Sequence, residues 1–567
     1  MAEGGNVLGE IDRAFRQEGF ERDWNVTPKV VYRGQIRCIN SAVSLSVHLR
    51  DLDFLRAPRI RVENLAELPR TVLPHISSSD GNLCYIEGGS TTLDRYDPEG
   101  TIVFCLRAAK QTLEDAISGK SAGDIAAEFF AYWGEAAFVD LPKTFQGESA
   151  FESWIALRPG WPEFGTPIIT PNGDVAEALL RQHLRFSGRK EVENRPCTVL
   201  RLPITLSVGQ CAGKWPPTTL AALLEWLGAH AAQFSHALRK AIQGDQANKW
   251  LILIRANNGD FLVRVELPAA YNTEEFTKTR RANLPDFVIK QIPTEVQIDR
   301  RAGWPIGSEY IFSRNLNGQA NLSNKKILLV GCGTIGGFLA QQMAQSGAGT
   351  GDRGELHLVD EDLLGPANLG RHLLGIPHLG HNKATACRDF LLETIPYVSV
   401  RATPENVSRV WGLMPRYDLI IDTTGEDATS YALNQRAIEG APDFPPVLFA
   451  GLLGNGAAAQ ALYFDGRGDH ACFKCLKPIM NAPARYEALR EKTRIVHTLA
   501  CGDSSYIPFP VSRSVQAASL ALEMTLSWAK GDLRHRFQGR VLDETLAMQV
   551  KDGNPSRSAA CPACRIS

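Results

Sequence analysis

The residues able to do chemistry in this chain are a glycine loop with cations behind it, two cysteine pairs, and a few isolated cysteines. Gly331, Gly333 and Gly336 follow the apolar run Ile327 to Val330 in G-x-G-x-x-G spacing, and a helical pattern from Phe338 to Ala344 comes next. Glycines there let the backbone approach a phosphate, whose charge the helix N-terminus stabilises. A second strand pattern, Glu355 to Val359, ends in Asp360, placed to accept hydrogen bonds from a ribose. To this point the pattern fits NAD as well as ATP. Asp362, Asn368, Arg371 and Lys383 then follow in quick succession. Arginine and lysine there suit a triphosphate and can stabilise charge building at the α-phosphate during nucleotidyl transfer. Hydride transfer needs no such cations, because its chemistry lies on the nicotinamide. Solvated loop charges are the plain alternative for Arg371 and Lys383.

Cys472-Phe-Lys-Cys475 and Cys561-Pro-Ala-Cys564 are two C-x-x-C pairs. Four thiolates in two such knuckles make a closed tetrahedral site for structural Zn²⁺, pinning the C-terminal tail to the nucleotide-binding region. A redox dithiol is the rival reading, but it accounts for only one pair. The other cysteines are Cys38, Cys84, Cys105, Cys197, Cys211, Cys332, Cys387 and Cys501, and such residues are mostly small buried hydrophobes. Cys38, and Cys105 in the strand-like run TIVFCLRAA, read as core; Cys332 fills space in the glycine loop. Cys501 stands apart, with His497 nearby and a helical run from Val515 to Trp528 after it, a setting that favours a thiolate nucleophile. Cys84 also stands apart, delivered by the turn Ser79-Asp80-Gly81 just past Pro74-His75-Ile76.

The elements that must position these residues suggest a multidomain α/β chain. Its 567 residues suffice for three or four domains. Residues 1–150 read as an α+β unit with an opening helix from Leu8 to Gln17 and helical patterns at 111–117 and 122–133. The Pro/Gly-rich stretch 158–174 reads as a boundary. A middle α+β block, 151–310, carries a long helical pattern from Thr218 to Ile242 and the hairpin KWLILIRA-NNGD-FLVRVEL. Nothing in it converges on chemistry, and it reads as a structural or partner-binding module. Residues 311–567 alternate strands and helices as a doubly wound domain does. With 61 basic against 62 acidic residues, no general nucleic-acid or anionic-membrane affinity is implied. No apolar run approaches the roughly 20 residues that span a bilayer, and the N-terminus lacks a signal-peptide layout. A cytoplasmic protein is expected, its 12 cysteines serving as metal ligands, nucleophiles or core rather than disulfides.

The order VDEDLLGPANLGR resembles the adenylation signature of the ThiF, MoeB and ubiquitin-activating enzyme family. That resemblance implies that Asp360 holds the ribose, Asn368 and Arg371 contact the phosphates, and Lys383 contacts the triphosphate. It implies Zn²⁺ at the cysteine pairs and a catalytic Cys501 on a crossover loop. Asp422 retains the first acid of the family's D-x-T-D, but the second, often the Mg²⁺ partner, is Gly425, so Glu426 or Asp427 substitutes or Asp422 acts alone. Arg314 is a weak match to an upstream family arginine. The Cys84 region resembles the ubiquitin-conjugating signature, with His75 where that family has its oxyanion asparagine and one extra residue before the cysteine. Conjugating-like domain first and activating-like domain last is similar to the fused enzymes of bacterial antiphage CBASS operons. The resemblance implies that ATP·Mg²⁺ adenylates a protein C-terminus, that Cys501 and then Cys84 carry it as a thioester, and that an amine on a target receives it. The implied protein substrate is a cGAS-like nucleotidyltransferase, and the adenylation domains are expected to dimerise. A distinct ubiquitin-like substrate, a sulfur-carrier adenylyltransferase and a noncatalytic scaffold are the alternatives.

Overall fold

The structure, a computed structural model, describes the chain apart from residues 1–3, 27–28, 39–40, 69–72, 78–79, 87–90, 122, 125–128, 130–131, 143, 156–166, 174–191, 209–214, 245–247, 315, 317–318, 396, 481, 491–506 and 565–567. Cys501, His497, Cys211, Ser79 and most of the boundary stretch 158–174 lie outside the described residues. The chain forms two compact units, Met1–Ile306 and Gly307–Ser567.

In the first unit the strands Phe20–Arg22, Val30–Cys38, Ser41–Leu49 and Arg59–Val62 make an antiparallel sheet in chain order. Helices Gly4–Gln17 and Pro98–Ser118 share a core with it, where Phe15 stacks on Tyr32 and Ile11, Val43, Leu45 and Ile60 are fully buried. The run around Cys105, read above as a strand, is helical. Asp97 caps the helix by accepting from the Gly100 amide, Pro98 starts it, and Gly119 ends it in the left-handed region. Within it Ile102, Cys105, Leu106, Ala109, Leu113 and Ala116 fall on one face and are buried, so helical period and caps override the β-branched Thr-Ile-Val.

Seven further strands close into a barrel in the order 259–266, 298–305, 135–139, 168–170, 149–155, 192–201, 249–256. Its strands Glu135–Val139 and Ser149–Ile155 both precede or straddle residue 150, where the sequence reading divides the first block from the second. Inside it Glu152, 1% exposed, accepts from Arg264 at 2.8 Å. The hairpin forms as Lys249–Ala256 and Gly259–Glu266, with only Asn257 and Asn258 in the turn. The long pattern from Thr218 is two helices, Leu220–Leu227 and Ala231–Gly244, because Gly228 takes a positive φ of 47° and breaks the run.

The second unit is built on a seven-stranded sheet in the order 400–403, 355–359, 326–330, 419–422, 447–453, 458–464, 537–541. The first five in that order are parallel and the last two antiparallel. Strand Lys326–Val330 reads Ile-Leu-Leu-Val, buried throughout, as a central parallel strand covered on both faces should be. It pairs with Glu355–Val359 on one side and Leu419–Asp422 on the other. Chain order reverses between those neighbours, so a crevice opens beyond the carboxyl ends of the strands, the place where doubly wound sheets bind ligands. No helix among the described residues is long and apolar enough to cross a membrane.

Candidate active site

That crevice is a cleft of about 350 Å³. Gly331, Gly333, Asp360, Asp362, Asn368, Arg371 and Lys383 line it, so most of the residues expected to meet a nucleotide come together. Gly331 turns the chain at φ 88°, and a Cβ there would stand 2.9 Å from the Thr424 amide nitrogen. Gly336 lies one helical turn behind, where a Cβ would meet the Gly331 carbonyl oxygen at 1.8 Å, so only glycine lets helix Thr334–Gln345 pack this tightly on the loop. Asp360 braces the loop: its carboxylate accepts from the Cys332 amide at 2.6 Å and the Asp362 amide at 2.8 Å. Burial raises its pKa, and those two amides pull it back. His372 donates from Nε2 to the Cys332 carbonyl and accepts the Leu374 amide at Nδ1, the pattern of a neutral ring, and burial lowers its pKa accordingly.

The cations sit on separate supports. Lys383 starts helix Lys383–Thr394 and is 9% exposed, its Nζ 2.8 Å from Asp362 Oδ2. Arg371 donates to the Ile507 carbonyl at 2.8 Å and stacks over the Phe509 ring at 4.8 Å. Ile507 is the first described residue after the segment that holds Cys501. Asn368 caps its own turn by accepting the Gly365 amide at 2.9 Å. Asp422 lies behind the lining and is 2% exposed, its oxygens accepting from Thr424 and Ser430; burial raises its pKa. Thr424, Gly425 and Glu426 face the cleft in front of it. Arg314 ends a short helix and lies over the Tyr310 ring, and it is not among the residues lining the cleft.

Sequence reasoning missed Glu361, Glu405, Asn406 and Thr423, all of which line the cleft. Asn406 donates to Glu361 at 2.9 Å, and Thr423 donates to the Gly331 carbonyl at 2.7 Å. The signal was available: each follows the carboxyl end of one of the parallel strands 355–359, 400–403 and 419–422.

Cys472, Cys475, Cys561 and Cys564 converge, their sulfurs all within 4.8 Å of one another. Cys472 lies 3.7 Å from Cys475 and 3.8 Å from Cys561, close to the spacing of roughly 3.8 Å that four sulfurs at about 2.3 Å from a tetrahedral Zn²⁺ require. The Ser558 amide donates to the Cys475 sulfur at 3.3 Å, the kind of outer bond that orients a thiolate ligand. The donor set therefore fits Zn²⁺.

In the first unit Cys84 is exposed. Its amide donates to the His75 carbonyl at 2.8 Å, and Ile76 pairs with Leu83, so His75 and Cys84 lie opposite each other on a short antiparallel ladder. His75 takes a positive φ of 63° and its Nε2 lies 3.1 Å from Asp124 Oδ2. The other described single cysteines, Cys38, Cys105, Cys197, Cys332 and Cys387, are buried as expected.

A glycine loop at the order reversal of a doubly wound sheet, with an acid, an arginine and a lysine around one cleft, is the frame of a nucleotide-binding adenylation domain. The ThiF family model matches residues 311–527, and the prokaryotic E2 family B model matches residues 9–141. The protein is thus an enzyme of the ubiquitin-activating and ubiquitin-conjugating type. Over nearly its whole length it is similar to the ATP-dependent ubiquitin transferase-like protein Cap2 of Pseudomonas aeruginosa, with 32% identity over 98% of this chain and 99% of that one. The Cap2 of Escherichia coli is 26% identical over 94% of this chain and 93% of its own. That of Vibrio cholerae serotype O1 is 25% identical over 87% and 86%. The chain belongs to this Cap2 family of ATP-dependent ubiquitin transferase-like proteins.

Proposed function

We propose that the protein activates the C-terminal carboxylate of another protein by adenylation, carries it as a thioester on Cys501 and then Cys84, and joins it to an amine, a lysine on a target. Gly331 and Gly333 let the loop approach the phosphates, and the start of helix Thr334–Gln345 faces their charge. Asp360 receives the ribose. Arg371 and Lys383 stabilise the charge that grows at the α-phosphate as the carboxylate oxygen bonds to phosphorus and pyrophosphate leaves. The Cys501 thiolate then attacks the acyl carbon and displaces AMP, and exchange with the Cys84 thiol moves the acyl group on.

The observation that carries this reading is the bond from Arg371 to Ile507. The arginine expected at the phosphates holds the chain six residues beyond Cys501, and six residues reach at most about 21 Å. The lining also includes Glu361, Asp362, Glu405 and Glu426 beside Asp360, against Arg371 and Lys383. An anionic nucleotide in so acidic a cleft calls for a counter-cation, which supports ATP taken as its Mg²⁺ salt, with Glu426 in place of the acid lost at Gly425. Mg²⁺ would supply charge neutralisation at the phosphates. Zn²⁺ on the four cysteines would tie residues 561–564 to the edge of the adenylation domain.

The match of the E2 model upstream favours conjugation over sulfur transfer. We take the activated protein to be a cGAS-like nucleotidyltransferase, the setting to be CBASS-type antiphage defence in the cytoplasm, and the enzyme to act as a homodimer through its adenylation domain. ATP–pyrophosphate exchange tests the first step. Exchange should require the nucleotidyltransferase and vanish when its last residues are deleted; exchange indifferent to that C-terminus would contradict the assignment.

A further inference from the structure

We propose that His75 and Asp124 form an acid–base pair that moves the proton when the acyl group leaves Cys84, with His75 exchanging the proton and Asp124 as its positioning residue. The inference rests on Cys84 being the acyl carrier and deepens that reading, which left His75 only in the place of an oxyanion donor. Three observations carry it. The imidazole is bonded through Nε2 to the Asp124 carboxylate at 3.1 Å. The Cys84 amide bonds to the His75 carbonyl at 2.8 Å and the two residues face each other on the ladder, which ties the ring's backbone to that of the nucleophile. His75 also holds a left-handed backbone, φ 63°, a conformation that costs a side chain free energy and that glycine would adopt without strain.

Fold stability does not explain the pair. The His75 side chain is 25% exposed and that of Asp124 55%, and ion pairs so open to water contribute little. Chemistry does explain it. A lysine amine has an ordinary pKa of about 10.4, so the nitrogen must lose protons to react near neutrality. The imidazole takes one proton from the lysine ammonium, and the neutral nitrogen attacks the thioester to form a C–N bond. As the C–S bond of that adduct breaks, a second N–H proton passes to the departing Cys84 thiolate, and the imidazolium returns its proton to water. Protons balance and no electrons are exchanged. The carboxylate of Asp124 fixes the ring's orientation and stabilises the imidazolium, the role a third group plays behind a nucleophile's base.

The test bypasses the adenylation step. The full-length enzyme is loaded at Cys84 from a fluorescent peptide ending in a glycine thioester of 2-mercaptoethanesulfonate, with Cys84→Ser as the loading control. Discharge is then followed in single turnover against free lysine and against hydroxylamine, a nucleophile already neutral at pH 7. Asp124→Asn and His75→Asn should load normally, discharge to lysine roughly a hundredfold more slowly at saturating lysine, and keep the same half-saturating concentration. Hydroxylamine discharge should be unchanged, and Asp124→Glu should recover part of the lysine rate. Wild-type lysine discharge by Asp124→Asn, or equal losses with both nucleophiles, would overturn the pair. Normal discharge by His75→Asn alone would assign His75 to the oxyanion and overturn its proton transfer. Loading of the wild type no greater than that of Cys84→Ser would instead overturn the Cys84 reading beneath it.

Discussion

Around the nucleotide cleft the polar side chains brace one another, whereas Cys84 and the pair His75–Asp124 stand at the surface. In the cleft Asp360 is bonded to two amides of the neighbouring loops, Lys383 is 9% exposed and bonded to Asp362, and Arg371 is held by a carbonyl and a ring. At Cys84 the thiol is exposed, His75 and Asp124 are in water's reach, and the surrounding ladder is short. Under the proposed function the contrast follows from what each place would hold. An acyl adenylate is lost to water unless it is shielded, and a small charged ligand rewards preorganised partners. A thioester that passes between macromolecules needs access from outside, so its chemistry must depend on few residues at the surface.

The largest effect that would break this contrast is on the first half-reaction. Arg371→Ala or Lys383→Ala should lower ATP–pyrophosphate exchange about 10²- to 10³-fold, while discharge of chemically loaded Cys84 stays at the wild-type rate. Loss of both activities in either variant would mean that the two sites are not separable.

Gly336→Ala should follow, because its Cβ would meet a backbone oxygen at 1.8 Å. Equilibrium ATP binding should be lost, with about 3 kcal/mol of stability, read by denaturant titration of the second unit's transition. Unchanged ATP affinity would show that the loop yields where the packing says it cannot. The zinc knuckles sharpen the same point. One Zn²⁺ per chain is expected after native purification, and Cys561→Ser should release it and lower the melting temperature of residues 307–567 by several degrees without altering Cys84 loading.

The smallest effect concerns His357, fully buried in the strand that leads to Asp360 and bonded to Tyr417 and Thr403. Burial lowers its pKa from 6.5 to about 4, with the nearby charge of Arg401 adding to the shift. The folded chain thus keeps a neutral ring while the unfolded chain takes up a proton near pH 6.5. Its stabilising share is complete above that pH and declines as acid is added through about pH 4. Thermal melts across this window should lose roughly 2 kcal/mol in the wild type and less in His357→Gln. Parallel curves for the two proteins would remove the assignment.

How far the sequence was legible follows the same division. The cleft could be read because a phosphate loop demands glycine at set offsets, and its strands are apolar runs ending at a turn. Strand Glu355–Val359 falls where its pattern put it. The cysteine knuckles could be read because ligand spacing is local. The run around Cys105 was misread because Thr-Ile-Val favours a strand until the caps at Asp97, Pro98 and Gly119 are weighed. The barrel was invisible because its partners are distant in sequence, Arg301 pairing with Glu135 and Cys197 with Leu251. His75 was visible by its place before Cys84, but Asp124 was not, since only the fold brings it within 3.1 Å.

Thioester trapping reads whether the acyl group travels from Cys501 to Cys84. The full-length enzyme is incubated with ATP, Mg²⁺ and the nucleotidyltransferase, quenched in acid, and resolved with and without reducing agent. A reducible adduct is expected on Cys84 in the wild type, an adduct held on Cys501 in Cys84→Ala, and no adduct in Cys501→Ala. A Cys501→Ala enzyme that still charges Cys84 would contradict that route.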